Sequence, residues 1–201
     1  MSTSRPRKRA YHHGDLCASV LRAALKLLEK EGLEGLTMRA LAREAKVSHN
    51  APYRHFPNRE TLLAALAADG YAMLGQAQRE AAVRSGLRGM GEAYVNFALD
   101  HPQRFRLMFG GAVQIARHAR LREIATQTYE GLSGALAARV PEAQGARDSS
   151  IAAWALVHGL AQLLLDDRVS QAARSGRSRE QFVREVLATV RFTARPTPQS
   201  A

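Results

Sequence analysis

Cysteine is nearly missing from this chain: Cys17 stands alone among 201 residues. No disulfide can form within it, which fits a reducing compartment, and Cys17 itself is expected to be a small buried side chain. Long hydrophobic runs are missing as well. No stretch of about 18 uninterrupted apolar residues occurs, so no membrane span is expected. The opening MSTSRPRKRAYHHGD is basic but lacks the apolar core and cleavage site of a secretory signal. A cytoplasmic protein is expected. Sustained period-two alternation is absent, which argues against a sheet, and no fixed-period repeat is present. Catalytic signatures are missing too: there is no GxxxxGK, HExxH or GxSxG. His12-His13, and His49 with His55, come without a cluster of cysteine or acidic ligands. No enzyme, metal site or cofactor is expected.

Acidic residues are in short supply. The formal charge is +11 and the isoelectric point about 10.8. Residues 1–60 hold 12 Lys/Arg against 6 Asp/Glu, a net of +6, while residues 61–201 hold 17 against 12. The basic excess is thus densest at the N-terminal end, which favours a polyanionic partner. With 46% apolar residues and a mean hydropathy of −0.27, the chain has enough apolar surface for a core and should be globular.

What is present reads as helix throughout. Residues 1–13 form a basic arm, expected to be disordered. From Asp15, Leu16, Val20, Ala24 and Leu27 recur at helical spacing up to Gly32. Thr37 is a good N-cap for a second short helix that closes near Ala45-Lys46. Ser48 is expected to cap a third, very short helix. Further helices are expected at about 59–84, 87–100, 102–109, 117–139, 149–167 and 179–194. Gly110-Gly111, the 141–147 segment and Ser175-Gly176 punctuate them. The fold class is all-α: a three-helix helix-turn-helix domain over 14–60, then a helical bundle over 61–201 with a flexible tail from about 195.

The third helix carries the chemistry. In EAKVSHNAPYRHF, Pro52 and Phe56 face inward beside Val47. His49 with Tyr53, and Asn50 with Arg54, form two outward rows. Burying so many hydrogen-bonding groups would leave each needing a partner. Base edges and phosphates in a DNA major groove supply those partners.

The stretch LTMRALAREAKVSHNAPYRHFPNRETLLAALA resembles the DNA-binding segment of the TetR family of bacterial transcriptional regulators. Trp154 with His158-Gly159 in AWALVHGLAQLLLDD, together with HPQRFRLMFGG, is similar to a C-terminal class of that family named for a Trp-His-Gly signature. The resemblance implies that His49, Asn50 and Ala51 meet base edges, that Tyr53 and His55 meet phosphate, and that Arg54 reaches either. It adds Thr37, Arg39 and Arg59 as further contacts, with Ser48 at the start of the reading helix. Lys46 stands where the family usually has glycine. A left-handed backbone is needed there, at a cost on the order of 1 kcal/mol for a non-glycine residue, and the lysine adds a phosphate-facing charge.

One short recognition helix reads few base pairs, so two copies on a twofold axis are needed to read a near-palindromic operator. The expected homodimer seam uses Leu156, Leu160, Leu163 and Leu164 of one helix and Phe182, Val186 and Val190 of another. The small residues Ala152, Ala155 and Gly159 allow close approach. The remaining aromatics read either as ordinary core or as the lining of a mostly apolar pocket for a small-molecule effector: Tyr94, Phe97, Phe105, Phe109, Tyr129 and Trp154, with Met108, His101 and His158. The function these readings favour is a sequence-specific DNA-binding regulator, a repressor released by a small apolar ligand. The rivals are a sequence-indifferent basic DNA- or RNA-binding protein and a helical interaction protein with a vestigial DNA head.

Overall fold

Apolar side chains recur at helical spacing along most of the chain, and helices result. The structure, a computed structural model, describes residues 13–138 and 143–191. The expected basic arm before residue 13 and the tail from about 195 lie outside the described residues. Among those residues there are eight α-helices and no strand. The chain divides into two units, residues 1–62 and 63–201.

In the first unit α1 spans His13–Gly35 and α2 spans Met38–Glu44. Val20, Ala24, Leu27 and Leu28 form the inner face of α1 and are buried with Leu36, Leu41 and Phe56. Each such side chain contributes roughly 1.5–3 kcal/mol on leaving water. Cys17 is only half-buried, so it is not the core residue expected. Gly32 breaks α1 with φ 70° and ψ −172°, a backbone open essentially to glycine alone. One more helical turn follows before Thr37. There the chain is extended, and the Thr37 hydroxyl oxygen accepts from the Ala40 N–H at 3.1 Å. That satisfies one of the orphan donors of α2. Lys46 has φ 55°, the left-handed turn residue expected.

The third helix is shorter than expected. It is a single 3-10 turn, Pro52–Arg54, entered through tight turns at 49–51. The reason lies in Pro52. An α-helix through this stretch would need its N–H to bond the Ser48 carbonyl, and proline has none. The Ala51 N–H takes that carbonyl instead at 2.9 Å, and Arg54 and His55 bond three residues back, to Ala51 and Pro52. The turn has no side-chain cap, so Ser48 contributes its carbonyl rather than the hydroxyl cap expected.

α3 spans Arg59–Asp100 and is interrupted once, at Gly86 (φ 59°, ψ −146°), which separates the two helices expected on either side of Ser85-Gly86. Gly70 and Gly75 do not break it. A Cβ on Gly70 would lie 2.6 Å from Met108 Sδ, so glycine lets the next helix come close. That helix, α4, spans Pro102–Phe109. It is pinned to α3 by Arg104 on Asp69 at 2.9 Å and by the Tyr71 hydroxyl donating to the Met108 carbonyl at 3.2 Å. α5 spans Ala119–Ala137 and packs on α6, Ala143–Leu165. α6 therefore starts inside the stretch expected to be a break. A short α7, Gln171–Arg174, was not expected; Ser170 caps it. α8 spans Arg179–Ala188, shorter than the 179–194 expected. It opens with a capping box in which Ser178 and Gln181 satisfy each other's backbone N–H.

Because Gly32 occupies a backbone region closed to side chains, Gly32→Ala is expected to destabilise the fold by about 1–3 kcal/mol. A lowered urea midpoint with an unchanged denaturant slope checks it.

Candidate nucleic-acid interface and ligand cavity

In the first unit Ala51, Pro52 and Phe56 turn inward, and His49, Asn50, Tyr53 and Arg54 remain exposed on the outer side. The His49 and Tyr53 rings meet edge to face at 6.0 Å, which makes one continuous outer surface of the first row. Thr37 and Arg39, at the start of α2, and Lys46 are exposed too. Arg39 and His49 border a shallow groove together with Arg43, a cation the sequence reading passed over. Arg43 lies four residues on from Arg39, one turn along the same helix face.

Arg59 has a second task. Its Nε donates to the Leu36 carbonyl at 2.8 Å, and its Nη2 donates to the Leu33 carbonyl. The guanidinium therefore ties the start of α3 to the turn between α1 and α2. The resemblance implies only a phosphate contact for Arg59, and two of its five donors are already committed.

In the second unit a cavity of about 350 Å³ opens among α3, α4, α5 and α6. Tyr94, Phe109, Tyr129 and Trp154 line it, as expected of a pocket. Tyr71, Leu74 and Gln78 join them along one stripe of α3, with Ile115 and, from α5, Arg122, Thr128 and Leu132. The rings pack at angles: Phe109 lies 5.4 Å from Tyr71 and 6.5 Å from Trp154, and Trp154 lies 6.0 Å from Tyr129. Burial pushes the Tyr71 phenol up to about 12 and raises that of Tyr94 as well, so both remain protonated donors at neutral pH.

Behind the cavity wall a short relay orders three side chains. Trp154 Nε1 donates to the Tyr94 oxygen at 3.3 Å, since an indole N–H can only donate. The Tyr94 hydroxyl is 2.9 Å from His158 Nδ1. With its oxygen accepting from Trp154, its own proton is free for Nδ1, which then accepts as in a neutral imidazole. Burial lowers the His158 pKa from its ordinary value, in keeping with that role.

α6 is covered on one side only. Ser150, Ala153, Val157 and Ala161 are buried, while Ile151 is 57% and Leu163 49% exposed. Ala152 and Ala155 are exposed on the same side, and a Cβ built on Gly159 meets nothing within 4 Å.

Residues 20–66 match the bacterial regulatory proteins of the tetR family, and residues 87–190 match the tetracyclin repressor-like C-terminal domain. The second match alone covers more than half of the chain. The chain belongs to the TetR family. It is a transcriptional regulator with a DNA-binding helix-turn-helix, not an enzyme. Among relatives of this TetR-family regulator, the tetracycline repressor protein class C of Escherichia coli is 51% identical over 49 residues, 24% of this chain. The shared segment spans 22% of that relative's length. A solved protein of unknown function from Rhodococcus sp. RHA1 is 31% identical with a TM-score of 0.74, over 90% of this chain and 96% of that one. The multidrug binding protein EbrR, solved with proflavin, is 25% identical with a TM-score of 0.54, over 87% of this chain and 98% of its own.

Several expected site residues of this TetR-family chain stand elsewhere. Ala51, expected at a base edge, is 9% exposed and belongs to the core of the head, because the tight turn rotates it inward with Pro52. His55, expected at phosphate, is half-buried, and its Nε2 is shut off from the surface with no hydrogen-bond partner. Of the pocket residues, Phe97, Phe105 and Met108 are buried in the core and do not line the cavity. His101 stacks on Phe97 at 5.2 Å, and His158 sits behind Tyr94. Of the seam residues, Leu160 and Phe182 are each 7% exposed and bury inside their own subunit. Leu156, Leu164 and Val186 are half-buried, and only Leu163 and Val190 are open.

Arg59→Ala is expected to cost about 0.5–1.5 kcal/mol by removing two hydrogen bonds, the one to Leu33 open to water, read as a lower thermal midpoint without DNA present. His158 makes stability depend on pH. Its folded pKa lies below the ordinary 6.5, so as pH falls the unfolded chain takes up the proton first. Its contribution is complete above that value and declines as pH falls through it toward the folded pKa. His158→Gln, which still accepts from Tyr94, is expected to flatten that decline in denaturant titrations at stepped pH.

Proposed function

We propose that this regulator is a homodimeric repressor that reads a near-palindromic operator and is released by a small, largely apolar ligand. The observation that carries the DNA reading is the outward row of His49, Asn50, Tyr53 and Arg54 over the buried Ala51, Pro52 and Phe56. Asn50 and His49 are the base readers. Tyr53, Arg39, Lys46 and the Thr37 hydroxyl proton hold phosphates, with Arg54 reaching either, and the start of α2 adds backbone N–H groups.

The open face of α6 supports a dimer. A residue pair such as Ile151 and Leu163, with Ala152, Ala155 and Gly159 between them, lets a second helix approach closely. By length and composition alone residues 145–165 could also cross a membrane. A second copy is the better cover, because one 3-10 turn reads too little DNA unless it is doubled. The seam is then Leu163, Val190 and the half-buried Leu156, Leu164 and Val186.

The cavity supports the ligand. EbrR is a multidrug binding protein solved with proflavin, and the cavity here is walled by rings. Trp154 stands at that wall and His158 is joined to it through Tyr94, which supports placing the second unit in the Trp-His-Gly class. Two conformations differ in the spacing of the two heads, and the ligand favours the one that misfits the operator. It shifts the balance only by its differential affinity; moving 99:1 to 1:99 takes about 5.5 kcal/mol. α4, pinned to α3, is the element that transmits the shift.

Selection of bound DNA from a random pool is expected to return two half-sites one helical turn apart, with affinity falling steeply as salt rises. Asn50→Ala is expected to lose about 1–3 kcal/mol at one or two base positions, and Tyr53→Phe to weaken all sequences alike. A specificity ratio near one over random DNA would support the sequence-indifferent rival instead. Leu163→Glu is expected to give a folded monomer in sedimentation that has lost operator affinity.

A further inference from the structure

Resting on the proposed effector cavity, we infer the charge class of its ligand: a small aromatic monocarboxylate, held by Arg122 at the carboxylate end and by Gln78 at the other. The cavity wall, among the described residues, contains one charged side chain, Arg122, and no carboxylate at all. Arg122 Nη1 donates to the Ala116 carbonyl at 3.1 Å. That bond holds the guanidinium beside the cavity and leaves its other N–H donors uncommitted. No carboxylate among the described residues pairs with it. Arg122 is exposed and so partly screened, yet among the described residues its charge is the one that borders the hollow. A cationic guest would meet repulsion and no counter-charge.

The hydrogen-bonding groups of the wall point to the same polarity. Tyr71 spends its proton on the Met108 carbonyl, and the Thr128 hydroxyl donates to the carbonyls of Tyr71 and Ile124. Tyr94 is engaged with Trp154 and His158. The side-chain amide of Gln78 and the hydroxyls of Thr126 and Tyr129 carry no such bond among the described residues, and of these Gln78 is the most buried. It is 6% exposed and borders both this cavity and a neighbouring one of about 300 Å³. That amide is not shut off completely, so a polar atom on a guest that enters the hollow can bond it directly. The same wall includes Leu74, Phe109 and Trp154, surfaces suited to a flat ring. A volume of about 350 Å³ is at the small end for a ligand site. Arg122 suits a carboxylate because its planar fork can make two parallel charge-assisted hydrogen bonds.

The test compares three guests of one shape on the purified full-length protein by calorimetry: 6-hydroxynaphthalene-2-carboxylate, 6-hydroxynaphthalene-2-carboxamide and (6-hydroxynaphthalen-2-yl)methylammonium, whose shared hydroxyl can bond Gln78. The carboxylate is expected to bind about tenfold or more tighter than either of the others. Arg122 is exposed, so Arg122→Gln should fold normally. It is expected to bring carboxylate affinity down to that of the carboxamide and leave the carboxamide unchanged. Leu74→Trp, which fills the hollow and keeps Arg122, is expected to weaken binding of all three. The inference is overturned if the carboxamide or the ammonium binds as tightly as the acid, if the preference survives Arg122→Gln, or if the acid does not bind. Release from the selected DNA is followed in parallel. An acid that binds through Arg122 without loosening DNA leaves the ligand class standing and removes the release mechanism. A carboxamide that binds equally well and releases DNA does the reverse.

Discussion

Three inward side chains decide what the DNA head can do. Ala51, Pro52 and Phe56 bury against the first unit's core, and their burial forces the intervening residues to face out. The anchoring is unusual in its economy. Pro52 both packs inward and withholds the N–H that would have extended an α-helix, so the reading element is a 3-10 turn held mainly by its apolar side. Its orientation then depends on the neighbours that hold that core in place: the Thr37 cap on α2, the left-handed Lys46, and Arg59 on the carbonyls of Leu33 and Leu36. None of these contacts touches a base, yet each sets the angle at which His49 and Asn50 are presented.

The second unit applies the same logic to an opposite end. There the inward groups are rings, and rings set at angles to one another leave a hollow where aliphatic chains would close it. Most polar atoms around that hollow are spoken for by internal hydrogen bonds, which makes the wall apolar in effect although it contains tyrosine, threonine and tryptophan. A wall of this kind discriminates by its few uncommitted groups. The outer side of α6 completes the design: a helix too apolar for water on both faces is buried on one and open on the other.

Much of the architecture was legible because its causes are local. Helical spacing in α1, the Thr37 cap, the glycine breaks at Gly32 and Gly86, and the bounds of α4 each depend on a few adjacent residues, whereas the left-handed turn at Lys46 is implied only by the resemblance. The exposed row of the reading turn was legible for the same reason, since it needs only the pattern of two inward residues four apart. The errors share a different cause. The base contact of Ala51 is implied by the resemblance alone, and the 3-10 turn of this chain rotates that residue inward. The aromatic residues read either as core or as pocket from their type, and packing divides them: Phe97 and Phe105 are core while Tyr94 and Phe109 border the cavity.

By itself the sequence determined that the chain is helical, where its caps and breaks fall, and which short segment presents a hydrophilic face. These follow from backbone sterics and hydrogen bonds between residues a few positions apart. Tertiary structure alone decided which rings enclose space, that Arg59 closes a turn more than twenty residues away, that Leu160 and Phe182 turn into their own subunit while Leu163 stays outside, and that Arg122 and Gln78 border one hollow. Such outcomes depend on how each helix is rotated about its axis when it packs. That rotation is set by the sum of many contacts between distant residues, each too weak to leave a local mark in the chain.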